Sequence, residues 1–389
     1  MEFDYGKFFG YLMDFFFPLM AILIGLFIWA TLPTITRKVR NTTLLLGREK
    51  ETKRLVNKIR TGQSGVIIGI FSQERTELLA SLRDKTLYGR EADNLIFSLI
   101  DISILEKNCT AEQFWKPALE PLREHIFQTN HNLALMKSYS DCQAKEFSQD
   151  CLDKLFEQVN QAQLRVVLLL DRFHEILHQP NLNQIAFLAK LRSLSASRYP
   201  SPLCLIMTAH ESLGKLHQRI IQELGYSTSP FFNFMDVGDI TLDALSESEQ
   251  DSVLNKLKLS KNAQQFIKYE VGQHPYLLRI ATYRLKEAYQ AQEKNPIDAT
   301  KRDFYQKCQK LLDDMLKTWP KTMCHVFVQI AQGAFNDTNG YSKELEELEK
   351  TGLIKRENEQ WQVFSPVFVK LLKEQDISRL CTKESHIES

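Results

Sequence analysis

Residues 64–68 (SGVII) read as a short buried strand, and residues 76–82 (TELLASL) open a helix. Between them runs Gly69-Ile-Phe-Ser-Gln-Glu-Arg-Thr76. A strand that feeds a helix through a glycine-led loop is the setting of the phosphate-binding motif G-x-x-x-x-G-K-[ST]. Gly69 and Thr76 hold their places in that motif, while Glu74 stands for the second glycine and Arg75 for the lysine.

Both exchanges fall on the working parts of such a loop. Its backbone N–H groups form a nest for phosphate, reinforced by the positive end of the following helix. The second glycine allows close approach, so Glu74 brings bulk and a negative charge to that place. Two like charges about 4 Å apart repel by roughly 4 kcal/mol at an effective dielectric near 20. Arg75 keeps the positive charge, but a planar fork is no copy of a compact ammonium; it has the option of pairing with Glu74 instead. Thr76 retains the hydroxyl that ligates Mg²⁺. The alternative is that a glycine and a threonine at this spacing coincide by chance.

Apolar runs recur at 95–102 (LIFSLIDI), 166–170 (VVLLL) and 203–207 (LCLIM), separated by helical patterns. Continuous apolar strands alternating with helices predict a parallel sheet covered on both faces. The run at 166–170 ends in Asp171, placed to hold Mg²⁺ or to cap the next helix. Arg172 follows where an activating glutamate would stand, and arginine is no base at neutral pH. Glu175, three positions further, is the substitute candidate. Thr208-Ala209-His210 closes the fourth run, and a lone histidine there is as readily structural as catalytic. Residues 128–150 are polar and weakly periodic, which predicts a surface insertion.

From residue 15 to 36 no charged residue occurs, and the segment includes FFFPLMAILIGLFIWATL. About 20 apolar residues span the hydrocarbon core, so one transmembrane helix is expected. Glu2, Asp4 and Asp14 oppose a signal-peptide reading, and Arg37, Lys38 and Arg40 place the rest of the chain in the cytoplasm. A bacterial chain would then sit in the inner membrane.

Beyond residue 242 the strand pattern stops. Ser246 with Glu249 makes a capping box for a helix, and helices continue to about 316. Next come helices at 321–331 and 342–350, then a hairpin from Leu353-Ile-Lys-Arg356 and Trp361-Gln-Val-Phe364. That order predicts a winged helix. The resulting division is 1–40 anchor, 41–245 α/β domain, 246–316 helical lid, 317–378 winged helix and 379–389 disordered tail.

In order, these motifs resemble the bacterial AAA-like ATP-binding proteins of the STAND/AAA+ group of P-loop NTPases. The matching residues include Leu46-Gly-Arg-Glu-Lys-Glu51, the loop 69–76, Leu170-Asp171 and Gly272-Gln-His-Pro-Tyr-Leu-Leu278. The resemblance spans about 45–372 and implies a nucleotide core, a lid and a winged helix. It implies ATP or ADP with Mg²⁺ as cofactor, held by Gly47, Arg48, Gly69, Arg75, Thr76, His274 and Pro275, with Pro275 near the adenine. Thr76 and Asp171 would hold the metal, and Asp171 and Glu175 are the catalytic candidates. The departures at Glu74, Arg75 and Arg172 set phosphate binding and hydrolysis against that implication. They point to a membrane-anchored, nucleotide-responsive regulator or pseudo-ATPase scaffold with a protein or self partner. The alternatives are an ATPase completed in an oligomer and a nucleotide-free adaptor.

Charge and cysteine content narrow the classes further. A net charge of +1, and four glutamates against two lysines in residues 342–350, oppose a nucleic-acid partner. Leu345 and Leu348 there read as core. Seven scattered cysteines without a C-x-x-C pair predict reduced thiols and neither a zinc site nor a disulfide framework.

Overall fold

The computed structural model describes residues 46–129, 132–196, 200–224, 229–257, 259–336, 340–373 and 381. The expected transmembrane segment, residues 15–36, lies outside them. Among the described residues no helix is long and apolar enough to cross a membrane.

The apolar runs become strands of one sheet: β1 (Gly65–Ile68), β2 (Leu95–Asp101), β3 (Arg165–Asp171) and β4 (Leu203–Ala209). A fifth, β5 (Asp239–Thr241), was not legible in the sequence because only Ile240 of its three residues is buried. The order is β2-β3-β4-β1-β5, with every neighbouring pair parallel. Consecutive burial along β3 and β4 means that both faces of the sheet centre are covered. Register aligns the C-terminal ends, pairing Ile68 with Ala209, Leu170 with Met207 and Asp101 with Asp171. Ligands of open parallel sheets bind at that edge.

Around the sheet lie α1 (Glu49–Thr61), α2 (Ser72–Ser81), α3 (Ala111–Thr129), α4 (Leu133–Ala144), α5 (Gln149–Gln161), α6 (Ile185–Ala196) and α7 (Leu213–Leu224). The expected surface insertion at 128–150 is instead largely α4 and its connection to α5. Asn132 caps α4 by accepting from the Leu135 N–H at 3.0 Å, and Leu135, Tyr139 and Cys142 are buried in the sheet's core. Spacings of four and three place these side chains on one helical face, a stripe too narrow to stand out in a polar sequence. Glu146 and Phe147, both at positive φ, then turn the chain so that Phe147 enters the same core. This turn joins Cys142 to Cys151, and Cys324 is joined to Cys381. The expectation of unpaired thiols therefore holds only for Cys109, Cys204 and Cys308, all buried. Spacing gave no hint of the pairs because Cys142 and Cys151 meet only through the turn at Glu146 and Phe147, and Cys324 and Cys381 lie 57 positions apart.

After β5 the chain is helical: α8 (Glu247–Lys256), α9 (Lys261–Val271), α10 (Pro275–Gln290) and α11 (Pro296–Thr318). The expected Ser246–Glu249 capping box is present at α8. Next come α12 (Lys321–Gln332), α13 (Ser342–Lys350), the antiparallel hairpin β6 (Ile354–Glu357) and β7 (Gln360–Val363), and α14 (Pro366–Lys373). Asn358 and Glu359, both at positive φ, make the two-residue turn whose twist suits a hairpin. Leu345 and Leu348 are buried, as expected. Residues of α8–α14, together with Leu46 and Phe71, share a second hydrophobic core.

Candidate functional site

The loop after β1 is shorter than its motif predicts. Helix α2 begins at Ser72, one turn ahead of the expected start at Thr76. Phe71 precedes it without a capping side chain and is buried edge-on against His274, ring centroids 4.6 Å apart, and beside Tyr276. That burial anchors the chain and turns it straight into helix. Glu74 sits in the first turn, where a carboxylate complements the helix dipole. In consequence the Arg75 N–H donates to the Phe71 carbonyl at 3.2 Å. The amide that a phosphate nest would present at the lysine position is spent inside the helix.

Arg75 occupies the loop from within. Its side chain is buried, and Nη1 donates to the carbonyl oxygen of Gly69 and, at 3.3 Å, to that of Ile70. Carbonyl oxygens thus turn toward an internal cation, the reverse of N–H groups turned toward an anion. Burial pulls the guanidinium's pKa down to about 10, with Asp171 and Glu74 opposing the fall, so it is still charged at neutral pH.

Glu74 does not pair with Arg75 by hydrogen bond. Its Oε1 accepts from Arg48 Nε at 2.8 Å, and each side chain is 1% exposed. Arg48 also reaches Glu51 at 3.1 Å and the carbonyls of Asp243 at 2.5 Å and Leu242 at 3.2 Å. Burial alone would push the Glu74 carboxyl up, but Arg48, His274 and Arg279 outweigh it and hold it below the ordinary range. Glu74 is therefore a charged strut. Gly47, at φ +78°, brings the leading motif against Pro275, since a Cβ there would meet Pro275 Cβ at 3.1 Å. His274 is buried; its Nδ1 accepts from the Tyr276 N–H at 3.2 Å, which caps α10, and burial lowers its pKa to about 4.

The metal candidates do meet. Thr76 Oγ1 donates to Asp171 Oδ2 at 2.5 Å, while Oδ1 accepts from Thr208 Oγ1 at 2.5 Å and from the Arg172 N–H at 3.0 Å. A hydroxyl and a carboxylate are hard oxygen ligands that suit Mg²⁺. The same test fails for phosphate, because Arg75 and the helical amides close the cradle. Arg172, in a left-handed conformation, is turned to an ion pair with Asp101. Glu175 lies among histidines, 3.3 Å from His174 Nε2 and 3.7 Å from His178 Nε2. The hydrogen bond from His174 is the first cause of its lowered pKa. The His174 ring stands edge-on to His210, and burial drops the His174 pKa to about 4. Among the described residues no group of three or more His, Cys, Asp or Glu is placed to hold a metal ion.

A set of residues that sequence reasoning missed ties α2 to α10 and α11. Gln73 Oε1 accepts from Tyr276 Oη and from Lys307 Nζ, each at 2.8 Å, and Glu77 pairs with Arg279. With Glu74, they occupy adjacent places along α2. Their spacing was a usable signal only with the helix begun at Ser72.

Among solved structures, a Walker-type ATPase of Pyrococcus abyssi aligns with 84% of this chain and 95% of its own, at 15% identity and a TM-score of 0.54. The ORC2 protein of Aeropyrum pernix, in its ADP form, aligns with 86% of this chain and 95% of its own, at 11% identity and a TM-score of 0.43. No protein-family model and no curated protein matches the sequence. The likeness to the Pyrococcus ATPase is one of fold: the parallel β2-β3-β4-β1-β5 sheet with its helices is the α/β fold of a P-loop NTPase.

Proposed function

We propose that this chain is a pseudo-ATPase of the AAA+ kind, related to the STAND group, that works as a regulator or scaffold held at a membrane. The observation that carries the reading is the phosphate loop filled by its own Arg75, with α2 begun one turn early. A loop with carbonyls on an internal guanidinium has no nest for a β-phosphate. Arg172 at the position of the activating glutamate supports the same conclusion. Any response to ATP or ADP requires Arg75 to leave the loop first.

The apolar segment 15–36, with the basic cluster after it, supports a single-pass anchor with the bulk of the chain in the cytoplasm. The helix, helix and hairpin order of 317–378 supports a winged helix, and the acidic α13 favours a protein or self contact over nucleic acid. We keep the division at 245/246 as part of this proposal and move the expected 316/317 boundary to the end of α11 at Thr318, since that helix runs unbroken across it.

One observation favours a second reading. Thr76 Oγ1 still donates to Asp171 Oδ2, a contact between the two expected Mg²⁺ ligands, which suits an ATPase whose remaining groups come from a neighbouring copy. Steady-state ATP turnover across a range of protein concentrations, with thermal stability in ATP or ADP with and without Mg²⁺, separates the two. The pseudo-ATPase reading expects no turnover at any concentration and no Mg²⁺-dependent thermal shift with ATP that Asp171→Asn abolishes. Turnover that rises as the chain self-associates would establish the ATPase.

A further inference from the structure

A cleft of about 710 Å³ opens beside the turn from α10 to α11, with α14 across from it. It lies within the size range of small-molecule sites, roughly 300–1,000 Å³. Its wall carries Lys301, Arg302 and Tyr305 on α11 and Lys370 on α14. Glu270, 3% exposed, organises this wall: Oε1 pairs with Lys301 Nζ at 2.9 Å and Oε2 accepts from Tyr305 Oη at 3.1 Å. The Lys370 ammonium stands 4.9 Å from the Tyr305 ring centroid. Among the described residues neither Arg302 nor Lys370 has a carboxylate partner. The 23-residue helix α11 begins at the same cleft, and Asn295 gives its first turn no side-chain cap. Two cations without a carboxylate partner, Arg302 and Lys370, and a third fixed by a buried acid converge on one space.

We infer that this cleft binds a small phosphate-bearing metabolite, a phosphomonoester or diphosphate. Phosphate answers the Arg302 and Lys370 cations together. Glu293 and Asp298 also border the cleft. Their carboxylates would repel phosphate at the α10–α11 turn and so place it on the Arg302 and Lys370 side, while they can accept from the hydroxyls of a sugar or other polyol. The site is separate from the phosphate loop and does not depend on the pseudo-ATPase reading.

Calorimetric titration of the full-length chain with inorganic pyrophosphate, and separately with ADP, tests it. Saturable binding at one site per chain is expected. Arg302→Ala and Lys370→Ala should each weaken it about tenfold or more, the size of one charge-assisted hydrogen bond. Both side chains are exposed, so the variants should melt like the parent, and Asp171→Asn should bind as the parent does. Equal affinity for the two probes would identify the phosphate group as what is recognised; tighter ADP would add the nucleoside. Absence of saturable heat at millimolar probe overturns the inference. So does binding that is indifferent to both cleft variants, or binding lost in Asp171→Asn.

Discussion

Arg48 Nε donates to Glu74 Oε1 at 2.8 Å in a fully buried ion pair that joins the start of α1 to the first turn of α2. The residue that replaces the loop's second glycine is thereby committed to holding the core together. Arg48, which the resemblance assigns to nucleotide binding, has its guanidinium shared among Glu74, Glu51 and two carbonyls.

Removing one partner of this pair strands the other charge in the interior. Glu74→Ala and Arg48→Ala should each cost about 3–5 kcal/mol, the usual cost of breaking a buried pair from one side. Replacing both by hydrophobic residues of similar volume should cost less than the two single changes added together. Urea denaturation of the parent, the two alanine singles and the Glu74→Ala/Arg48→Ala double gives the coupling energy directly. A sum of singles equal to the double would mean that the pair contributes no interaction.

Arg75→Ala removes the guanidinium that the Gly69 and Ile70 carbonyls accept from. We expect a stability loss of about 1–3 kcal/mol, the cost of leaving buried acceptors unsatisfied. ATP turnover should stay absent, since the amides of α2 remain in helical hydrogen bonds. Denaturant midpoints and a phosphate-release assay check the two halves separately. A variant that gains turnover would show that Arg75 alone holds the loop shut.

Acid should destabilise the fold between about pH 6.5 and about pH 4. Burial is the first cause that lowers both His174 and His274 to about 4, so both stay neutral in the folded chain across that window. The unfolded chain takes up those protons near pH 6.5, so falling pH favours unfolding. The combined effect is on the order of a few kcal/mol at pH 4. His274→Gln, which keeps an acceptor for the α10 cap, should flatten part of the slope of denaturant stability against pH. An unchanged slope would remove His274 from the account.

Gly272, between α9 and α10, marks their contact with the segment that follows the hairpin. At φ +69°, a Cβ there would lie 1.8 Å from Cδ1 of Phe364. Gly272→Ala meets both a left-handed backbone and an aromatic ring, so a loss of roughly 3 kcal/mol or more is expected. Adding Phe364→Ala should recover only part of the loss, because the overlapping ring is then gone while the backbone strain remains. Thermal melts of the single and double variants decide it.

Sequence by itself determined the elements whose signal is local. Continuous apolar runs gave four of the five strands, Ser246 and Glu249 gave the start of α8, and a polar turn between two short apolar runs gave the hairpin. Thr76 and Asp171 were also legible as partners, because a motif fixes where each sits relative to its strand, and parallel register does the rest. Tertiary structure alone decided the character of the site. The start of α2 depends on Phe71 meeting His274, and the fate of Glu74 on Arg48, 26 positions away. Gln73 meets Tyr276 across 203 positions. The burial of α4 likewise needed the sheet's core to reveal which face of a polar helix is apolar enough to bury. Local pattern records what a segment prefers, whereas a buried charge or an early helix start is settled by which partner the folded chain brings to it.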